Sequence, residues 1–287
     1  MSNPFIDTYK ELLNRAPIAE PREGDRVEGG VLVCGKCGEP RESYVALPTF
    51  LKAAYGSSKI ISRECRCDRE ERERAEAQER AKREAVNIEE RRRACFPYDH
   101  MRGMTFANDD GKNPKLAAIL KRYSERFDAF KKEGAGLLLY GAVGGGKTYY
   151  AAAVANAIID AGRSAKFTSL SNLSDRMMAN YGKDKQDILR DLARYDLVIL
   201  DDLGVERSTE TVNENAYQVI NTLYMSKTVI IATTNMDAEA MNAETKPALQ
   251  RTYSRLFECC QPIEVKGEDR RRTVSDAKAR LYMGLSE

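Results

Sequence analysis

A glycine-rich loop between an apolar run and an alanine-rich run is the feature of this sequence that most restricts its fold. Residues 137–158 read LLLYGAVGGGKTYYAAAVANAI, which predicts a buried strand, a tight loop and a helix in direct succession. The stretch from Gly141 to Thr148 fits in full the pattern GxxxxGK followed by Ser or Thr. In such a loop successive backbone N–H groups face one anion, and the N-terminal end of the helix adds its positive potential. The sequence therefore predicts a phosphate-binding loop.

Each part of this loop has an expected role in binding a nucleotide. Lys147 is expected to reach the β- and γ-phosphates of ATP, and the hydroxyl of Thr148 is expected to hold Mg²⁺. A glycine-rich turn with an unrelated lysine is the alternative, and the strand before the loop and the helix after it count against that alternative. The residues predicted to bind ATP are Gly141, Gly144, Gly145, Gly146, Lys147, Thr148 and the adjoining Tyr149.

Short apolar runs alternate with amphipathic stretches over the region 96–287. This alternation predicts an α/β domain with a mostly parallel sheet and helices on both faces. The predicted strands are residues 136–140, 164–170, 196–202, 228–235 and 262–267.

Acidic and amide side chains stand at the ends of two of these strands. Asp201 is expected to orient Mg²⁺, and Asp202 is expected to polarise the attacking water. Asn235 is expected to hydrogen-bond that water or the γ-phosphate, with a turn-forming role as the alternative. Because the Asp202 side chain is one methylene shorter than the commoner glutamate, we expect slow intrinsic hydrolysis.

The cysteines are gathered unevenly. Cys34 and Cys37 form a CxxC pair, and Cys65 and Cys67 form a CxC pair. Four thiolates in the region 1–67 predict a closed, structural zinc site, with buried free cysteines or a redox pair as the alternative. The total of seven cysteines is odd, which argues against a disulfide framework and for a reducing, cytoplasmic compartment.

Residues 68–95 are mostly charged, with the two signs nearly balanced. Good helix formers and i,i+4 pairs such as Glu76 with Arg80 predict a solvated helix that links two domains. A helix that binds a partner or nucleic acid is the alternative. The net charge of +2 indicates no general affinity for nucleic acid, and no run approaches 18 apolar residues, so no membrane span is predicted. The single histidine, His100, counts against Ser–His or Cys–His catalysis.

Four blocks in this order resemble the AAA+ ATPases that load replicative helicases, which are the DnaC and DnaI loaders with their phage versions, and the related IstB transposition helpers. The blocks are LLLYGAVGGGKT, LVILDDLGVERSTE, VIIATTN and QRTYSRLFECCQPIEVKGEDRRR, within roughly residues 96–272. The resemblance implies a three-layer αβα P-loop domain with no separate helical lid. It also implies Walker A, Walker B and sensor 1 roles for the loop, for the two aspartates and for Asn235.

The same resemblance implies roles for several arginines near the C-terminal end of the matched blocks. Arg255 matches the arginine that such ATPases insert into a neighbour's nucleotide site, with Arg251 as a second candidate and a surface salt bridge as the alternative. Arg271 matches a later arginine near the γ-phosphate, with Arg270 and Arg272 as close alternatives. Self-assembly into a ring or spiral is implied.

The resemblance further implies an ATP-dependent loader that binds a hexameric, DnaB-like replicative helicase through its zinc-bearing N-terminal domain. Such a loader places the helicase on single-stranded DNA when replication begins. An IstB-like transposition helper and a zinc-bearing adaptor with a static nucleotide are the alternatives. Solvated lysines and a packed aromatic ring are the favoured explanation of a further group of basic and aromatic residues, which are weak candidates for DNA contacts: Lys166, Phe167, Tyr181, Lys183 and Lys185.

Overall fold

Two antiparallel ribbons and a short helix form the N-terminal part of the chain. The computed structural model describes residues 18–179, 183–204 and 209–267. It divides the chain into two compact units, Met1–Ala85 and Val86–Glu287. The elements of the first unit are β1 (Arg26–Glu28) with β2 (Val31–Val33), β3 (Glu42–Ala46) with β4 (Ser58–Ser62), and the helix α1 (Thr49–Tyr55).

The charged region is a single helix, α2, over Arg66–Cys95, which confirms the helix predicted there. Its 30 residues span about 45 Å. Ion pairs at i,i+4, such as Glu70 with Arg74 and Glu79 with Arg83, run along its exposed surface. The boundary between the two units falls inside this helix. Among the residues that the structure describes, no helix is long and apolar enough to span a membrane.

Five strands of the second unit pair into one parallel sheet, which confirms the α/β prediction. Their order across the sheet is β6-β7-β8-β5-β9. The last strand begins at Cys260, two residues before the predicted start, and Pro262 is tolerated there because β9 lies at an edge of the sheet. The strands are β5 (Gly136–Tyr140), β6 (Ala165–Ser169), β7 (Leu197–Leu203), β8 (Val229–Thr234) and β9 (Cys260–Glu264).

Helices cover both faces of this sheet and complete a three-layer αβα domain. Successive residues of β5 enter different cores, because Leu137 and Leu139 belong to one apolar cluster and Leu138 to the other. This alternation is typical of a parallel strand that is buried on both faces. The helices are α3 (Pro114–Glu125), α4 (Phe127–Glu133), α5 (Lys147–Asp160), α6 (Leu170–Ala179), α7 (Lys183–Leu192), α8 (Glu210–Met225), α9 (Ala238–Asn242) and α10 (Pro247–Cys259).

The helix after the glycine-rich loop, α5, is fastened to the chain segment that precedes the sheet. The Nδ2 group of Asn156 donates to the carbonyls of Met101 and Met104 at 3.1 and 2.9 Å. The hydroxyl of Tyr149 donates to the carbonyl of Thr105 at 2.8 Å. These bonds fix the helix that carries Lys147 and Thr148, so the loop has a rigid C-terminal anchor.

At the end of the sheet where β7 begins, one carboxylate connects several segments of the chain. Asp196, just before β7, pairs with Lys131 of α4 and accepts hydrogen bonds from the N–H and hydroxyl of Ser164 at 2.7 and 2.8 Å. Burial alone would raise the pKa of Asp196, but the lysine and these hydrogen bonds outweigh it and hold the pKa below its usual value. The ionised carboxylate therefore ties three segments together.

Replacing Asp196 by Asn should lower the free energy of unfolding by about 1–2 kcal/mol at neutral pH, because the ion pair and charge-assisted hydrogen bonds are lost. A folded-state pKa below the unfolded value gives stability that is present above pH ~4 and is lost as the pH falls through the folded pKa. The difference in unfolding free energy between the wild type and Asp196→Asn should thus become smaller below about pH 4. Urea unfolding between pH 7 and 3.5 measures this. Asp191→Asn, which breaks an exposed pair with Arg194, is the control and should change stability little. A difference that does not vary with pH would contradict the assignment.

Candidate functional site

The glycine-rich loop connects β5 to α5 and depends on backbone conformations that suit glycine. Gly141, Gly144 and Gly146 have φ angles of 136°, 80° and 97°. A Cβ atom on Gly141 would also lie 2.7 Å from the carbonyl oxygen of Val265. The chain that leaves β9 therefore lies directly against the loop and leaves no room for a side chain.

Lys147 lies folded back over this loop. Lys147 is buried, with only 5% of its surface exposed. The Nζ group donates to the carbonyls of Gly141 and Ala142 at 2.9 and 2.7 Å. The positive charge is thus held at the loop where phosphate binding is predicted, and phosphate oxygens can replace the two carbonyls as acceptors.

Asp201 connects α5, the helix that follows the glycine-rich loop, to the sheet. The hydroxyl of Thr148 donates to its Oδ1 at 3.0 Å, and the hydroxyl of Thr233 donates to the same oxygen at 2.6 Å. Burial raises the pKa of Asp201, the neighbouring charge of Asp202 adds to that rise, and the two hydroxyls oppose it. A carboxylate and a hydroxyl are the hard oxygen ligands that Mg²⁺ takes, so these side chains fit the predicted ion.

Asp202 leaves the regular ladder of β7. Its φ angle is 56°, in the left-handed region that few residues other than glycine, Asn and Asp adopt. The register of β7 against β8 shifts between Leu200 and Leu203, and the N–H of Asp202 donates to the Thr233 hydroxyl at 2.9 Å instead. The side chain of Asp202 is exposed. The backbone irregularity therefore turns this carboxylate out of the sheet.

Asn235 follows directly after β8, the strand that lies between β5 and β7. Its side chain is exposed, whereas Thr233 and Thr234 just before it are buried. Its predicted contact with water or phosphate stays a prediction, as does the nucleotide contact of Tyr149, whose hydroxyl is bonded to Thr105.

The four predicted cysteine ligands come together in the N-terminal unit. The sulfur atoms of Cys34, Cys37, Cys65 and Cys67 lie within 4.8 Å of one another. A tetrahedral zinc ion with Zn–S bonds of about 2.3 Å separates its sulfur ligands by about 3.8 Å, so the cluster needs little adjustment to fit the ion. The backbone N–H of Glu39 lowers the pKa of the Cys37 thiol to about 6, whereas burial raises that of Cys65 to about 12.

A buried arginine braces this cluster. Arg41 pairs with Asp25, and both side chains are almost fully buried. Asp25 in turn accepts a hydrogen bond at 3.1 Å from the N–H of Gly35, inside the CxxC turn. A Cβ on Gly35 would overlap the carbonyl of Gly24, so the turn requires glycine. The cysteine turn is thus fixed by charged groups that lie beside it.

The arginines predicted to act between subunits lie on α10. Arg255 pairs with Glu258 at 2.8 Å, and Arg251 contacts Glu214 of α8 at 3.4 Å. The hydroxyl of Tyr224 and the guanidinium of Arg255 hold the pKa of Glu258 below its usual range. Arg270, Arg271 and Arg272 lie outside the described residues.

The residues predicted to contact DNA differ in their burial and in their hydrogen bonds. Phe167 is 4% exposed and packs 6.0 Å from the ring of Phe96, so its predicted stacking on a base is wrong. Its position on β6 points it into the core beside α5. Lys166 donates to the carbonyl of Ala94 at 2.8 Å, and Lys185 donates to Asn215 at 2.7 Å. Tyr181 and the side chain of Lys183 lie outside the described residues.

Residues 64–277 match the family of IstB-like ATP binding proteins. The chain belongs to this family. The match includes the whole glycine-rich loop, Asp201, Asp202 and α10, and it also includes Cys65 and Cys67. It does not include Cys34 and Cys37, so half of the cysteine cluster lies outside the matched region.

Relatives with curated names fall into two groups. An insertion-sequence ATP-binding protein of Sinorhizobium fredii is 28% identical over 154 residues, which are 53% of this chain and 52% of that protein. The replicative helicase loader DnaC of Escherichia coli K12 is 27% identical over 139 residues, 47% of this chain and 54% of that protein. The chain thus spans about half the length of these relatives.

A crystal structure of the DnaC helicase loader matches with a TM-score of 0.50 at 22% identity, and covers 59% of this chain and 100% of that chain. This likeness concerns the fold, which is that of the AAA+ ATPases. The family match thus indicates ATP binding, and the structural match indicates the fold on which it takes place.

Thr233 is the site residue of this IstB-like protein that sequence reasoning missed. It is fully buried, donates to Asp201 and accepts from the N–H of Asp202. A hydroxyl residue two positions before the predicted Asn235 was the available signal. A strand threonine is ordinarily explained by β-propensity, so the sequence alone did not single it out.

Thr233→Val should weaken Mg²⁺ binding in the presence of ATP by about tenfold, because Asp201 loses the hydroxyl that orients it. Thr234→Val is the matched control, since Thr234 donates to the Leu203 carbonyl at 2.8 Å and is not bonded to Asp201. Both variants should lose about 1–3 kcal/mol of unfolding free energy. Measuring ATP binding at increasing Mg²⁺ concentrations distinguishes the two variants. Equal Mg²⁺ dependence in both variants would contradict the role of Thr233.

The purified protein should hold one zinc ion per chain, and Cys65→Ser should lose most of it because a buried ligand is removed. Cys259→Ser, which lies outside the cluster, should retain the wild-type content. Elemental analysis by mass spectrometry measures both. A wild-type protein without zinc, or full zinc content in Cys65→Ser, would exclude the Cys₄ site.

Proposed function

We propose that this protein is an ATP-dependent loader that binds a hexameric, DnaB-like replicative helicase and places it on single-stranded DNA when replication begins. The observation that carries the proposal is the pairing of an AAA+ nucleotide site with a four-cysteine cluster on a separate N-terminal unit. A site for ATP supplies the energy-dependent step, and a separate metal-stabilised unit supplies a surface for a partner. The name of the DnaC relative supports this assignment.

Each residue of the proposed nucleotide site has its own role in ATP binding or hydrolysis. Lys147 would exchange its two carbonyl partners for phosphate oxygens, and Thr148 and Asp201 would hold Mg²⁺, which would supply positive charge to the phosphates. Asp202 and Asn235 orient and polarise the attacking water. Since Asp202 is short and no arginine has yet entered from a neighbour, a lone subunit turns over slowly. Assembly into a ring or spiral brings Arg255 to the next site, and Arg271 completes the contact with the γ-phosphate.

Three consecutive segments of the chain have different proposed functions. Residues 1–67 bind the helicase, residues 68–95 connect the two functions, and residues 96–287 bind and hydrolyse ATP. Cys34, Cys37, Cys65 and Cys67 would hold a zinc ion that stabilises the small N-terminal unit. Among the described residues of that unit, the apolar cluster around Leu47 and Leu51 is small. Single-stranded DNA contacts the ATPase region.

A transposition helper is the second candidate, and membership of the IstB-like family together with the insertion-sequence relative favours it. Such a protein would act on duplex DNA and a transposase. The cysteine cluster favours the loader, because half of the cluster lies outside the family match. A static-nucleotide adaptor is distinguished from both by the absence of steady-state turnover.

The test combines the full-length protein, the purified replicative helicase of its own host and single-stranded DNA coated with binding protein. Wild type with Mg·ATP should bind the helicase and start unwinding at an annealed fork. Lys147→Ala should lower the loading rate by at least about tenfold, because it removes the charge that binds the phosphates. Lys115→Ala, an exposed lysine of α3, is the matched control and should load normally.

The outcomes separate the candidate functions. No binding to the helicase, together with stimulation of ATP turnover by duplex DNA and a transposase, would replace the loader by the transposition helper. Helicase loading by Lys147→Ala at the wild-type rate would show that ATP is not needed for the step.

A further inference from the structure

Two arginines of α10 lie over two tyrosines of α8. The guanidinium carbon of Arg251 is 4.6 Å from the ring centroid of Tyr217, and that of Arg255 is 4.7 Å from the ring centroid of Tyr224. The tyrosines are seven residues apart, two helical turns on one face of α8, and the arginines are four residues apart on α10. The two helices thus form a matched pair of cation–π contacts at the surface of the ATPase unit.

The two contacts differ in how firmly the arginine is held. Arg255 donates from Nη1 to Glu258 at 2.8 Å, and the hydroxyl of Tyr224 donates to the other oxygen of Glu258 at 2.6 Å. Arg255, Tyr224 and Glu258 therefore form a closed triangle. Arg251 has a long contact of 3.4 Å with Glu214 and no comparable triangle among the described residues. The Arg255 side chain is 35% exposed, against 54% for Arg251.

The triangle leaves part of the Arg255 guanidinium available. The group carries five N–H donors in a planar fork, and the carboxylate engages only the Nη1 end. The Nε and Nη2 groups make no hydrogen bond to any described residue. The contact with the Tyr224 ring and the hydrogen bond to Glu258 together restrict the guanidinium, so the arginine is ordered before an anion reaches it. A phosphate can then bind through the open end of the fork.

We propose that Tyr224 and Glu258 are positioning residues for Arg255, and that they hold its guanidinium ready to enter the nucleotide site of a second copy of this chain. The inference rests on the proposed assembly of subunits through Arg255. It assigns the role between subunits to Arg255 rather than to Arg251, because a long flexible side chain that is already ordered loses less entropy on binding phosphate.

Mixed subunits test this without any helicase. Arg255→Ala keeps its own nucleotide site but has no arginine to give, and Asp202→Asn has a disabled site but an intact Arg255. Each alone should turn over ATP slowly, and their equimolar mixture on a single-stranded oligonucleotide should recover activity. Tyr224→Leu added to the Asp202→Asn partner should lower that recovered rate by about tenfold. The same change added to the Arg255→Ala partner should leave the rate unchanged.

A merely structural role for Tyr224 would lower both mixtures equally, and that result would overturn the proposal. Tyr224→Phe in the Asp202→Asn partner keeps the ring but releases Glu258, so it should cause a smaller loss of about two- to threefold. Glu258→Gln should do the same. Tyr217→Leu in the same partner is the matched control for the second arginine and should have no effect.

Two further outcomes would also refute the inference. A loss with Tyr217→Leu but not with Tyr224→Leu would assign the role to Arg251. A mixture no more active than its parts would remove the premise that Arg255 acts between subunits. The result is independent of helicase loading, since a protein that fails to load helicase can still pass this assay, and a loader that fails it retains its loading activity.

Discussion

The nucleotide site depends on one partly buried carboxylate that three elements share. Asp201 ends the regular part of β7, accepts hydroxyl hydrogen bonds from Thr148 of α5 and from Thr233 of β8, and lies next to the irregular residue Asp202. Burial makes its ionised form costly, and the two hydroxyls reduce that cost. A divalent cation would reduce it further. The loop, the sheet and the acidic residues are therefore mutually dependent: a change in any of them alters the environment of the same oxygen atoms.

The loop and the strands that carry these residues were predictable from the sequence because their patterns are local. The loop from Gly141 to Thr148 and the apolar run before Asp201 each carry a spacing that one segment suffices to define. The turn of the Asp202 backbone and the double hydrogen bond of Thr233 depend on the register between neighbouring strands, which no single segment encodes. Phe167 is packed in the core, in agreement with the alternative of a packed ring, and this burial depends on which helix covers the edge strand.

The cysteine cluster shows a different limit of sequence reasoning. The four cysteines were predicted as ligands from their spacing, and the structure brings their sulfur atoms together. The supporting shell of Arg41, Asp25 and Gly35 could not be foreseen, because it pairs residues that lie in separate turns. Domain boundaries 1–67, 68–95 and 96–287 stay predictions, and the division between the two compact units falls within the residues of α2.

The junction between α10 and β9 has no connecting loop. Cys259 is the last residue of the helix and Cys260 is the first residue of the strand, where it pairs with Gly136 of β5. Beyond the strand, the carbonyl of Val265 abuts Gly141. The helix that carries Arg251 and Arg255 is thus joined without a linker to the strand that pairs with β5 beside the glycine-rich loop. Because no loop separates α10 from β9, a displacement of α10 can be passed to β9 and from there to the backbone that contacts Gly141.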